Sequence, residues 1–551
     1  MCECVFVAVC LGCLVLIPVI LLIMVAMGFF VLVSVSVFGF LVMPLVIGGA
    51  LLLGWLIVWL WQRYRLGHWL RLGVPFIPAT PFVGNVWKLL RGACCFGDQF
   101  RKLYESAKAA GRAFVGIHVL QKPALLIRDP ALIKRILVED CDQFSSRLET
   151  TDHVCDTMGS QNLFFSKYET WRETHRILAP FFADGKVRQM YGLLESIGRR
   201  LEVHIEENLM GKNSVELEVK QLGALFTTDI IASLAFGIEA HSLQNPEAEF
   251  HRMCVKVNDP RPKRLFHLFT MFFFPRLSRW VRSHLYSDEY ERFMRQSMDN
   301  ILAQREESGE KRHDLIDIFL QLKRTEPAES IVHRPDFFVA QAAFLLLGGF
   351  NTSSSTITFA LYELAKNPAI QRRLREEIRE ALQSKGNQLS CETVTGMVYL
   401  RQVVDEVLRL YPPTAFLDRC CNSREGYDLS SWNCGSPFKL RAGTPVYISV
   451  LGLHRNAQFW PNPDVFDPER FSSEQRQHHH PMAYLPFGAG PRGFIGTLLG
   501  QLEIKVGLLH ILKNFRVELC ERTLPEMKFD PKAFVLAAHN ETHLRFVKNP
   551  V

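Results

Sequence analysis

The sequence has little net charge to offer a polyanion. Its 63 Lys and Arg stand against 56 Asp and Glu, and the balance of +7 is spread along 551 residues without a dense basic run. That excludes the electrostatic footprint of nucleic-acid binding, so no nucleic-acid partner is expected. Fourteen cysteines are scattered, with adjacent pairs at Cys94-Cys95 and Cys420-Cys421. They lack both the doubled C-x-x-C spacing of a structural zinc site and the density of a disulfide scaffold, which leaves reduced thiols facing the cytosol. Internal repeats and low-complexity tracts are missing as well, and no linker follows residue 85. The body therefore reads as one large domain.

The largest absence lies at the start. From Cys4 to Gln62 there is no charged residue. As continuous helix at about 1.5 Å per residue the stretch would run roughly 90 Å, three times a hydrocarbon core of about 30 Å. Pro18, Pro44 and the "VSVSVFGF" stretch offer places to turn, so two passes near 5–28 and 43–61 form one reading. The other takes 43–61 alone as the anchor, with Met43 as the start. Arg63, Arg65 and Arg71 follow, which favours a cytosolic location for what comes next. The length of the run and the side on which its charge lies disfavour a cleaved signal peptide. Residues 1–62 thus read as a hydrophobic anchor in membrane lipid. Residues 63–85 read as a connector, basic and then Pro-rich in "GVPFIPATPFVGN", and 86–551 as the folded body.

What fills that body is mostly helical periodicity. "VRQMYGLLESIGRRLEVHIEENL", "DEYERFMRQSMDNILAQREES" and "NPAIQRRLREEIREALQS" carry apolar residues at helical spacing. Strand-like runs are "FVGIHVL", "ALLIRD", "TPVYISVLGL" and "FVLAAHNETHLRFV". The expected class is mainly α with a minor β portion.

Three stretches carry chemistry. In "VVDEVLRLYPP", Glu406 and Arg409 stand three apart on a helix that Pro412 and Pro413 terminate, so carboxylate and guanidinium share a face. Their apolar flanks suggest a buried pair, which needs further partners to offset desolvation, and "FDPERF" supplies Arg470. In "AFLLLGGFNTSSSTITFALYELAKNP", Gly348 and Gly349 interrupt an apolar helix at about 1 kcal/mol each relative to alanine. Either something approaches the backbone there, or the pair is a helix-packing notch. Thr352 is placed to bond into the backbone ladder and open it locally. In "LPFGAGPRGFIGTLLGQLEIKVGLL", Phe487, Gly488, Gly490, Arg492 and Gly496 set a tight loop before a helix, with Arg492 a natural partner for an acidic ligand group.

Together and in this order these stretches resemble the cytochrome P450 family, over about residue 73 to the C-terminus. "FTTDIIASLAFGIEAHSL", "FALYELAKNP" and "KFDPKAFVLA" look like insect members of its microsomal xenobiotic-metabolising clan. The resemblance implies a cytochrome P450 fold behind a transmembrane anchor, in the endoplasmic reticulum membrane with the catalytic body facing the cytosol. It implies haem b between the Gly348-Gly349 helix and the Gly490 loop, and a charge network of Glu406, Arg409 and Arg470. Arg419 and Arg492 would pair with haem propionates, as would the position of His175, four residues after Trp171. Thr352, preceded by Asn351, would help deliver protons. An NADPH-dependent flavoprotein reductase would supply electrons for oxidising a small lipophilic substrate such as a xenobiotic, steroid, hormone or fatty acid. Segments 148–165 and 240–280 and the run near Phe534 would line the substrate side, and "MFFFPRL" would either dip into the membrane surface or pack in the core.

Three positions depart from the family pattern. The family's haem loop ends in a cysteine whose thiolate binds iron and favours O–O cleavage. Aligned on Phe487, Gly490, Arg492 and Gly496, that position holds Phe494, which has no lone pair to give a metal. Asn351 stands where an acidic residue is usual, and keeps hydrogen bonding without a proton to cycle. His175 replaces a propionate-binding arginine and can serve if protonated. Two functions stay open: a haem monooxygenase by descent, or a catalytically degenerate relative that binds haem or a lipophile.

Overall fold

A computed structural model describes residues 39–551, apart from 149–150, 258–260, 385, 387–388 and 434–435. The span read near 5–28 lies outside the described residues.

Helix α1 (Gly39–Leu66) is continuous through the stretch read as an anchor and ends beyond Arg63 and Arg65. Its portion Val46–Leu66 is long and apolar enough to cross a membrane, and only 6% of the tested window is buried in the protein. Exposed Trp55, Trp59 and Trp61 crowd its C-terminal half, and the Arg63 guanidinium sits 5.2 Å over the Trp59 ring. Residues 73–85 then run against the body. Gly116 N donates to Pro75 O (2.7 Å), Ile77 N to Gly116 O (2.9 Å), and Val74 and Ile77 are buried.

Two further helices pass the same length-and-apolarity test, but their windows are 83% and 56% buried within the protein. These are α4 (Val219–Phe236) and α5 (Phe337–Lys366), which pack on one another. A helix apolar on all sides belongs in a core, and α5, at about 1.5 Å per residue, runs roughly 45 Å through the middle of the body. Around it lie α2 (Tyr168–Leu178), α3 (Asp184–Leu209), α6 (Val398–Leu410) and α7 (Thr497–Asn514). Helix α6 stops at Tyr411 because Pro412 and Pro413 cannot continue the hydrogen-bond ladder. Helix α4 stops at Gly237, whose φ of 62° is the left-handed conformation glycine adopts cheaply.

The β portion is small. Strands β1 (Phe114–Val119), β2 (Lys122–Ile127), β4 (Phe416–Cys420) and β5 (Pro445–Ser449) form a sheet in the order β1-β2-β5-β4, with β2 and β5 parallel. Strands β3 (Ser214–Glu218), β6 (Phe515–Leu519) and β7 (His543–Lys548) form a second sheet in the order β3-β7-β6. Two strand-like runs are only half strand. "TPVYISVLGL" bends at Ser449 into a short helix, Val450–His454, whose first turn the Ser449 hydroxyl caps at Gly452 N. In "FVLAAHNETHLRFV" the pairing into β7 begins only at His543, while Ala538 makes a lone bridge to Phe529.

Candidate haem site

Four glycines shape the candidate site. An added Cβ at Gly349 would lie 2.3 Å from Ile231 Cδ1 of α4, so this glycine is a packing notch. At Gly348 an added Cβ meets nothing within 4 Å, so that flank of α5 faces open space. The pair the sequence presents as one feature therefore divides between the two readings. The Thr352 hydroxyl donates to the Gly348 carbonyl, yet α5 stays helical through it, so the expected local opening does not occur. In the loop before α7, Gly488 and Gly490 take φ of 72° and 70°. A Cβ on Gly490 would lie 1.8 Å from the Leu137 carbonyl oxygen, so nothing larger fits there. The loop closes through Gly493 N to Gly490 O (2.9 Å) and Phe494 N to Phe487 O (3.0 Å), and α7 starts after Gly496.

Beside this loop lies a knot of positive charge. Arg492 is 8% exposed, donates through Nε to Ser145 O (3.1 Å) and stacks 4.1 Å over the Trp171 ring. Its Nη1 and Nη2 are buried and make no hydrogen bond among the described residues. Burial, with Arg147 and Arg419 nearby, pushes this guanidinium down to about 9. Arg419 donates to Asp418 O (2.7 Å), and Arg147 pairs with the Asp418 carboxylate (3.1 Å). Arg147 was not anticipated from sequence; only its place in "FSSRLET", far from the loop in the chain, could have marked it. His175 packs on Trp171 with ring centroids 5.1 Å apart. Burial and the charge of Arg492 both lower its pKa, so the protonated form that could bind an anion is disfavoured.

The expected charge network is assembled. Arg409 is fully buried and grips Glu406 with Nε to Oε2 at 2.7 Å and Nη2 to Oε1 at 2.8 Å. Arg470 Nε stands 3.4 Å from Glu406 Oε1, an ion-pair separation without hydrogen-bond geometry. The further partners that burial demands are Asp467 N on Glu406 (2.9 Å), and the carbonyls of His454 (2.9 Å) and Pro463 (2.8 Å) on Arg409. His454 joins this network to the loop: its Nδ1 lies 3.2 Å from Arg409 O, and its Nε2 accepts from Leu485 N at 2.7 Å. Full burial pushes that imidazole down to about 3, which keeps Nε2 an acceptor. Glu503 of α7 also went unforeseen. It is buried, bonded among the described residues only by Ser353 of α5 at 2.7 Å, and burial pushes it up to about 7.

A porphyrin with two carboxylates fits part of this arrangement. The bare Arg492 Nη donors among three guanidiniums call for an anion, and the flank of α5 at Gly348 is free of side chains. The donor set for its metal does not fit. Phe494, half-buried, offers carbon only, and Cys520 lies beyond α7 on a bond to His543 O. Cys420 and Cys421 turn their sulfurs to backbone carbonyls at 3.9 and 3.7 Å.

The family model described as Cytochrome P450 matches residues 74–545. Probable cytochrome P450 6t1 of Drosophila melanogaster is 80% identical over 517 residues, covering 94% of this chain and 98% of that protein. Probable cytochrome P450 6g2 of the same fly is 39% identical over 510 residues (91% and 98%), and cytochrome P450 6k1 of Blattella germanica 35% over 509 (89% and 95%). With these matches over a body that is helical around α5 and flanked by small sheets, the chain belongs to the cytochrome P450 family of haem monooxygenases, whose cofactor is haem b.

Proposed function

We propose that this chain is a membrane-anchored cytochrome P450 scaffold that holds haem and a small lipophile but does not carry out thiolate-supported monooxygenation. One observation carries the reading: carbon stands at position 494, where the family's chemistry needs sulfur. A bound haem would supply the redox chemistry of the family when ligated by a thiolate. Phe494 can present no such ligand, so no oxygen-splitting step is derived for this chain.

The chain's own residues support the binding half of the role. Arg492, with Arg419 and Arg147 beside it, would hold the propionates, and Trp171 would support Arg492 from below its guanidinium plane. Glu406, Arg409 and Arg470 would fix the approach to the loop through His454 and Leu485. Asn351 and Thr352 line the same helix as Gly348, but an amide has no proton to cycle, so that pair too favours binding over turnover. Phe96, Phe165 and Phe534 all contact Phe272, with ring centroids 5.2 to 6.3 Å apart, and such a wall suits an apolar guest. The reading places 1–62 as anchor, 63–85 as connector and 86–551 as the haem-binding domain, in the endoplasmic reticulum with the body in the cytosol. A xenobiotic or endogenous lipophile would be the guest, and a flavoprotein reductase the partner inherited with the fold.

The test is reconstitution of the full chain in detergent with haem, NADPH and a microsomal P450 reductase, offered a panel of lipophiles. The unmodified chain is expected to give no oxidised product, while Phe494→Cys gains oxidation of at least one compound. Product formed by the unmodified chain at rates like those of Phe494→Cys would overturn the reading.

A further inference from the structure

Away from the candidate haem site, Asp156, His284 and Glu291 converge. One ligand atom from each lies within 4.8 Å of the others, and no second such group of three occurs among the described residues. Asp156 and Glu291 are 1% and 7% exposed, and His284 sits at the rim. His284 Nδ1 is 3.2 Å from Glu291 Oε1. Two ligand atoms about 2.0–2.1 Å from one tetrahedral ion lie about 3.3 Å apart, so this separation needs little adjustment.

The surroundings are arranged as metal sites arrange them. Glu291 is held by its other oxygen, Oε2, on Arg295 (3.0 Å), which frees Oε1 to face the imidazole. Asp156 is aimed by two backbone amides, Gly159 N to Oδ1 (2.6 Å) and Leu285 N to Oδ2 (2.8 Å), and each carboxylate oxygen keeps a lone pair. No lysine or arginine pairs with Asp156 among the described residues. Arg295 divides its charge between Glu291 and Asp336, whose two oxygens it meets at 3.0 Å each. Against the three carboxylates stand Arg295 and Arg264, whose Nη1 donates to His284 O at 3.2 Å. The independent sign is Tyr286. It is 2% exposed, its hydroxyl has no partner among the described residues, and it lies within electrostatic reach of Asp156, Arg264 and Glu291.

We infer that Asp156, His284 and Glu291 form a binding site for a zinc-class divalent cation. One imidazole and two carboxylates suit zinc, whereas calcium takes six to eight oxygens. The ligands come from distant parts of the chain: Asp156 caps the helix Thr157–Gln161, and Glu291 lies in the first turn of the helix Asp288–Ser308. From Arg295 the contacts run on to Asp336, immediately before α5. The ion would therefore staple these two segments together at the N-terminal end of the helix that carries Gly348.

Full-length protein in detergent, stripped with a chelator, is titrated with zinc against a chromogenic competitor, and its melting temperature is read with and without the metal. The expected result is one zinc more per chain in the unmodified protein than in His284→Ala, or at least about tenfold tighter binding. Zinc should raise the melting temperature of the unmodified protein only, and magnesium should raise neither. Glu291→Gln replaces His284→Ala if that variant does not fold. Equal zinc binding in protein and variant, no thermal shift in the unmodified chain, or an equal shift with magnesium overturns the assignment.

Discussion

Replacing Arg492 by methionine should move the stability of the apoprotein and its affinity for haem in opposite directions. In the apoprotein this guanidinium is buried among Arg147 and Arg419, with one carbonyl acceptor and two bare Nη donors. Holding the charge against its drop to about 9 costs roughly 5 kcal/mol. Against that stand the stacking on Trp171, about 1–2 kcal/mol, and the bond to Ser145 O, about 1–1.5 kcal/mol. The cost wins, and Arg492→Met should raise apoprotein stability by about 1.5–3 kcal/mol, read as a higher urea midpoint at unchanged slope. With haem present the balance reverses. Two charge-assisted bonds to carboxylate are lost at about 1.5–3 kcal/mol each, so affinity should fall roughly a hundredfold to ten-thousandfold in a Soret titration. A variant less stable than the parent, yet binding haem equally well, would show that Arg492 is a structural strut and refute the reasoning.

Three further perturbations probe the rest of the site. Glu503 has a folded-state pKa raised above its unfolded value, so its contribution is full below about 4.5 and is lost as pH rises through about 7. Glu503→Gln should flatten that dependence and exceed the parent by on the order of 1–3 kcal/mol at pH 8, measured by urea unfolding at pH 5 and 8. Gly490→Ala forces a left-handed conformation at about 1–2 kcal/mol and drives a methyl into the Leu137 carbonyl, so haem uptake should fail with the loop displaced. Arg409→Ala strips a fully buried carboxylate of its partner and should cost about 3–5 kcal/mol, while the double change Glu406→Leu with Arg409→Met should cost less than that.

Much of the fold was legible because its signals are local. Helix periods, the Pro412-Pro413 stop and the left-handed glycines at 488 and 490 are written in neighbouring residues, and the i, i+3 pairing of Glu406 with Arg409 follows from helix geometry alone. What escaped depends on partners far along the chain. Arg147 meets Asp418 across 271 residues, and His454 reaches Leu485 across 31. Strand β3 carries "SVELE", short and half-charged, and becomes a strand only by pairing with β7. The protonation of His175 was open in sequence because both its burial and the Arg492 charge that oppose it are brought about by folding. The difference between Gly348 and Gly349 likewise depends on Ile231 of α4.

The reduced carbon monoxide difference spectrum tests the central claim most directly, because it reads the atom that ligates the iron. The full chain loaded with haem should lack the red-shifted band of a thiolate-ligated iron, and Phe494→Cys should acquire it. That band in the unmodified protein would mean that sulfur reaches the iron despite Phe494, and would contradict the account.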